Sequence, residues 1–177
     1  MRRVRITTVS VVLVAMVASL SAARLERPAT TTPVVTREII AVYLGTIGTD
    51  SQSGMVPAIR DMKFALKRQT AETGRRFVAR GVSLEPSVDD GARHLALFGS
   101  FDEVSLGGNW TNSAVVRYLG KSIDSSRATS IPQLILLERE VTTGSAQLHV
   151  GAEHELARFV GVTEIATWVH SGALLPR

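Results

Sequence analysis

The stretch Ser130-Ile131-Pro132-Gln133-Leu134-Ile135-Leu136-Leu137-Glu138-Arg139-Glu140 puts a proline at the head of an unbroken apolar run. Proline has no backbone N–H to give to a sheet, so it fits in front of a strand and not within one. The run behind it has no polar face, which predicts a strand covered on both sides. Earlier in the chain, Glu38-Ile39-Ile40-Ala41-Val42-Tyr43-Leu44 has the same character and predicts a second central strand. It leads into Gly45-Thr46-Ile47-Gly48-Thr49-Asp50-Ser51-Gln52-Ser53-Gly54, a stretch rich in glycine and capping residues that reads as a polar turn.

A helix is expected over Met55–Thr73, because Val56, Ile59, Met62 and Leu66 recur at helical spacing while Arg60, Lys63, Lys67 and Arg68 fall on the other side. Ser51 or Ser53 can cap it, Pro57 is tolerable in its first turn, and Gly74 ends it. Arg76–Leu84 reads as the next strand. Ser87-x-x-Asp90 then resembles a capping box that opens a helix reaching Phe98. Phe101–Leu106 suits a short edge strand, and Asn112–Leu119 a short helix behind the turn Gly107-Gly108-Asn109-Trp110. After the proline-led strand, Ala146–Val150 predicts an antiparallel return. Val162, Ile165, Ala166 and Val169 mark a closing helix, with Trp168 beside that face.

The chain of 177 residues has 20 basic and 16 acidic side chains. Three of the 20, Arg2, Arg3 and Arg5, lie in the first five positions, which leaves 17 basic against 16 acidic residues elsewhere. The basic balance therefore belongs mostly to the N-terminus, and no basic stripe of the kind that tracks nucleic acid is visible. Those arginines precede an apolar run over residues 6–20, and Ser21 and Ala23 sit at −3 and −1 of a possible cut after Ala23. This is the layout of a secretory signal. At about 15 residues the run is short for a bilayer span, so a cleaved signal over residues 1–23 is the first reading and an uncleaved anchor the second. Either reading places the folded part outside the cytoplasm, periplasmic or extracellular, with membrane contact only through the N-terminal segment. Residues 24–36, with two prolines and a threonine run, read as a linker, and residues 37–175 as the folded domain.

The order strand, helix, strand, helix, insertion, strand, strand, helix resembles that of a thioredoxin-like domain. The resemblance rests on the strand ending Val42-Tyr43-Leu44-Gly45, on the polar turn opening a helix with Pro57, and on Ile131-Pro132 before Gln133-Leu134-Ile135-Leu136. It covers about Arg37–Gly172, with Phe101–Ser130 as an insertion. It implies an α/β three-layer sandwich: a mixed central sheet with a βαβ unit and a C-terminal ββα unit. It also implies a cis proline at Pro132, facing a redox turn across a shallow groove. Counting back from Pro57, the family's Cys-x-x-Cys would fall at Thr49-Asp50-Ser51-Gln52. The chain has no cysteine. Disulfide exchange needs a thiolate, so thiol–disulfide oxidoreductase activity is excluded.

Other chemistry finds little support in the residues. The Gly45-x-x-Gly48 turn lacks the Gly-Lys-Ser/Thr of a phosphate loop, and Ser51 lacks the Gly-x-Ser-x-Gly context of an activated nucleophile. His149, Glu153 and His154 cluster in sequence without His-Glu-x-x-His spacing and read as solvated loop residues. His94 and His170 read as ordinary helix positions. Trp110 reads as the anchor that pins the insertion to the core in preference to an exposed recognition residue.

The reading that follows is a redox-inactive, exported domain that binds a protein or peptide. Its groove would comprise Thr49, Asp50, Ser51, Gln52, Ile131 and Pro132, with Trp110 nearby. No catalytic residue, metal ligand, cofactor or nucleic-acid partner is assigned. The alternative is a small-molecule- or metal-dependent enzyme reusing that groove, with Asp50, Ser51, His149, Glu153 or His154 involved.

Overall fold

A computed structural model of the chain describes residues 32–50, 54–120, 130–144 and 147–176, with the backbone alone at residues 49 and 50. The signal and most of the linker expected before residue 32 lie outside the described residues. The compact unit runs from Thr31 to Arg177.

Six strands form one mixed sheet: β1 (Val34–Gly45), β2 (Arg76–Ser83), β3 (Glu103–Ser105), β4 (Gln133–Thr143), β5 (Leu148–Val150) and β6 (His154–Val160). β1 lies at the centre, parallel to β2 on one side and antiparallel to β4 on the other. β3 adds in parallel outside β2, while β5 and β6 both pair antiparallel with β4. The apolar residues Ile39–Leu44 are buried at both parities because both faces of β1 are covered.

Helices α2 (Met55–Glu72), α3 (Val88–Ala96) and α5 (Gly161–His170) cover one face. Ala41, Tyr43, Leu134 and Leu136 from the sheet meet Ile59, Met62, Leu66, Phe98 and Ile165 there. Helix α4 (Ser113–Leu119) covers the other, where Val115, Tyr118 and Leu119 pack on Ile40, Val42, Val78 and Ile135. Three layers result, with two parallel crossovers (β1-α2-β2 and β2-α3-β3) and a C-terminal β4-β6-α5 unit. The Ile131–Pro132 peptide bond is cis. This is the strand order and proline placement that the resemblance implied.

The fold is thioredoxin-like.

Local chemistry explains several boundaries. Ser87 Oγ accepts the Asp90 N–H at 3.0 Å and starts α3, and the same hydroxyl donates to the Asp90 carboxylate at 2.6 Å. The helix expected from Met55 forms, but the residue capping it is Gly54 at φ 70, where a side chain would be strained. Ser51 and Ser53 lie outside the described residues.

Four sequence expectations are corrected. The stretch after β1 is not all turn: Ile47–Asp50 form a short helix, α1, which contains Thr49 and Asp50. β1 begins at Val34, ahead of the apolar run, because Val34–Arg37 pair with Glu140–Thr143 of β4, so residues 34–36 of the expected linker are strand. The expected return over Ala146–Val150 is only the three-residue β5, and the longer strand on that side of β4 is β6. A bulge opposite Leu136/Leu137 interrupts the alternation of β6, letting Leu156 and Ala157 both reach the first core. That interruption hides the strand from a period-two reading. Finally, Glu153 is not a solvated loop residue: its side chain is nearly buried and paired with Arg80 and Arg117.

Candidate functional site: the proline groove and the charged face

The register Leu44↔Gln133 sets the turn after β1 directly beside the loop that leads into β4. Ile131 and Pro132 therefore lie beside the turn that leads from β1 into α1. Ser51 and Gln52, also expected here, lie outside the described residues. Pro132 is buried, and its carbonyl accepts the Gly161 N–H at 2.8 Å, tying this loop to the start of α5. Ile131 is partly buried against the second core. Its own N–H and C=O have no hydrogen-bond partner among the described residues.

The turn after β1 is held from the β2 side. Glu85 accepts the Thr46 hydroxyl at 2.6 Å and the Ile47 N–H at 2.8 Å, while Leu84 N–H donates to Gly45 O at 2.9 Å. The Thr46 hydroxyl, then the Ile47 N–H, hold the Glu85 carboxyl below the usual carboxylate range. Glu85 thus fixes the start of α1, which carries Thr49 and Asp50.

Trp110 belongs to a 3₁₀ turn, Asn109–Thr111, at the end of β3. The parallel strands β1, β2 and β3 end, and β4 begins, at one edge of the sheet, so Trp110 shares that edge with Ile131 and Pro132. β2 and β1 stand between them, which separates the two by roughly 15 Å at ordinary strand spacing. Trp110 is 46% exposed and does not anchor the insertion. Asn112 does. Its Nδ2 donates to Gly107 O at 2.9 Å, and its Oδ1 accepts the Ser105 hydroxyl at 2.7 Å and the Ala114 N–H at 2.9 Å. Three consecutive positive φ angles at Gly107, Gly108 and Asn109 turn the chain so that this single amide spans the loop.

The structure also assembles a cluster that the sequence reading missed. On the face covered by α4, beyond that helix, Glu38, Arg80, Arg139 and Glu153 are nearly buried and paired with one another. Glu38 receives Arg139 Nε at 2.7 Å and Arg76 Nη1 at 3.1 Å. Glu153, with a side chain 8% exposed, receives Arg80 at 3.0 Å, Arg117 at 2.9 Å and, more loosely, Arg139 at 3.5 Å. Glu103 bridges the two arginines, accepting Arg80 Nε at 2.6 Å and Arg139 Nη2 at 3.2 Å. Arg80 also donates to the Tyr118 hydroxyl, which donates in turn to Glu153 at 3.3 Å.

Burial opposes the charge on Arg80, but Glu153, Tyr118 and Glu103 outweigh it and raise its pKa well above the ordinary arginine value. Burial likewise works to raise the Glu103 carboxyl, and Arg80 and Arg139 more than reverse that effect. Every charge here has a partner. Such a lattice fixes the geometry of this face. One signal for it was in the sequence: Arg80 shares the parity of Val78 and Val82, which a solvent-facing arginine in a central strand would not.

Ser83 and His94 form a second unexpected pair, Oγ to Nδ1 at 3.0 Å. Both are fully buried, and His94 packs edge-on to Phe98 at 5.4 Å, with Phe98 against Tyr43 at 4.7 Å. No substrate reaches a hydroxyl so enclosed, so the pair is a polar tie within the core and not a nucleophile with its base. Of the sequence-adjacent histidines, His149 pairs with Thr142 on β5 and His154 with Glu138 on β6, while Glu153 is committed to arginines. Among the described residues no group of three or more histidines and carboxylates could hold a metal ion.

No protein-family model matches the chain, and no curated protein matches it. A solved structure of BsSco, described as a member of the Sco family of cytochrome c oxidase assembly proteins in which a disulfide switch was identified, is similar over 81% of this chain and 93% of that one. The identity is 14% and the TM-score 0.32. A likeness at that level carries no inference about function. The thioredoxin-like assignment stands on strand order and proline placement.

Proposed function

We propose that this chain is a redox-inactive, exported thioredoxin-like domain that binds a protein or peptide partner at the edge where β1 ends and β4 begins. One observation carries the reading: the fold keeps the proline loop beside the turn after β1, yet the chain contains no cysteine. Disulfide exchange is then impossible, and what remains is a shaped edge whose Ile131 backbone groups have no hydrogen-bond partner among the described residues. An extended peptide can pair with such groups as an added strand pairs with a sheet. In this reading Thr49, Asp50, Ser51 and Gln52 form one wall, Ile131 and Pro132 the other, and Trp110 a more distant contact. Export rests on the basic, apolar and small-residue layout of residues 1–23.

The test is photocrosslinking in the native host from a probe at position 51 of the full chain, with a control probe at Leu148, which is exposed at the opposite end of the sheet. A discrete envelope protein captured from position 51 and not from position 148 supports the reading. The same products from both positions, or none from position 51, overturns it.

A further inference from the structure

A cleft of about 520 Å³ lies away from the proline groove. It runs between the middle and C-terminal half of α2 and the start of β2, and its volume falls within the roughly 300–1,000 Å³ typical of small-molecule sites. Lys63, Phe64 and Lys67 form one wall, with Arg75, Arg76 and Phe77 opposite. The lysines are four residues apart on the helix and so share a face.

Two features of this lining lack an internal explanation. Phe64 is 72% exposed, with its ring at the rim of a cleft that also holds the half-buried Phe77. The positive charge is also under-compensated. The Lys67 ammonium has no ion-pair or hydrogen-bond partner among the described residues. Lys63 donates to the carbonyls of Phe98 and Ser100, at 2.7 and 2.9 Å, and sits 4.3 Å above the Phe101 ring, without a salt bridge to a carboxylate among the described residues. Arg75 is 3.7 Å from Glu138, and Arg76 shares Glu38 with Arg139. Asp102 is the carboxylate of the lining, and one of its oxygens is already taken by the Ala79 N–H at 2.7 Å. Burial and the neighbouring Arg60 lower the Lys63 pKa, with Asp102 opposing them.

We propose that this cleft binds a small organic anion with a flat apolar body, an aromatic carboxylate being its simplest member. The carboxylate would meet Lys67 and Lys63, and the ring would lie against Phe64 and Phe77. A ring edge or face on phenylalanine gains dispersion and quadrupole contact, and an ammonium at a partly desolvated rim gains more from an anion than it would in open water.

Calorimetric titration of the full chain with 2-naphthoate tests the proposal, with 2-naphthylmethanol as the uncharged twin. One-to-one saturable binding of the naphthoate is expected, with the alcohol about tenfold weaker. Lys67→Ala should weaken naphthoate about fivefold, as loss of a partly exposed charge pair does, and Phe64→Ala about tenfold. Both side chains are exposed, so both variants should unfold at the same denaturant concentration as the parent protein. The proposal is overturned if naphthoate does not saturate, if the alcohol binds equally well, or if neither substitution changes the affinity. These outcomes are independent of crosslinking at position 51, because the two sites share no residue.

Discussion

Arg80 donates to Glu153 at 3.0 Å across 73 positions of sequence, and the contact ties the middle of β2 to the residue that precedes β6. Both side chains are nearly buried, so each depends on the other for its charge to be tolerable. Replacing Glu153 with Gln should therefore cost about 3 kcal/mol, because Arg80 and Arg139 keep buried charges with one fewer counter-ion. Urea denaturation reads the loss as a lower midpoint with unchanged slope. A midpoint within error of the parent protein would show that solvent reaches the cluster.

Acid should act on the same lattice. The Glu103 carboxyl is held low by Arg80 and Arg139, so its contribution is present above the ordinary glutamate pKa and is lost as pH falls through the folded value. Glu85, held low by Thr46 and Ile47, adds a change of the same sign. Stability should be level near neutrality and fall below about pH 4.5. Glu103→Gln should flatten that acid limb. Thermal unfolding followed from pH 7 to pH 3 checks both statements, and an acid limb of equal steepness in the variant would contradict the second.

At the turn after β1, Glu85→Ala removes the acceptor shared by the Thr46 hydroxyl and the Ile47 N–H. Two hydrogen bonds of this kind contribute about 1–2 kcal/mol together. The local effect should be larger than the global one: the Ile47 amide should exchange its hydrogen faster than amides in the middle of β1. Uniform exchange changes across the sheet would mean that Glu85 does not position this turn.

The insertion offers a direct contrast between two neighbours. Asn112→Ala breaks three hydrogen bonds at a nearly buried site and should cost about 2 kcal/mol. Trp110→Ala removes a half-exposed ring and should cost under about 1 kcal/mol. Denaturation of both variants settles the order, and a reversed ranking would restore Trp110 as the anchor.

Much of the groove was legible in residues 131–137 and 38–44, because a run that is apolar at both parities has one stable placement, at the centre of a covered sheet. Composition gives only a tryptophan's average burial, while the exposure of Trp110 depends on which residue closes the loop, and here that is Asn112. In sequence His94 is an ordinary helix position, yet the turn of α3 aims it at Ser83, which sequence spacing cannot specify.

The sequence by itself determined that no disulfide chemistry can occur here, since that requires only the absence of a thiol. It also determined the alternation of strands and helices, since apolar periodicity is a local property. The tertiary structure alone decided that Glu38, Arg80, Arg139 and Glu153 form one buried lattice, and that Lys63, Lys67, Arg75 and Arg76 line a cleft. The charges in each set come from different strands, helices or loops. The first set meets through strand register, and the second through the way α2 lies over β2, and both exist only once the sheet has closed.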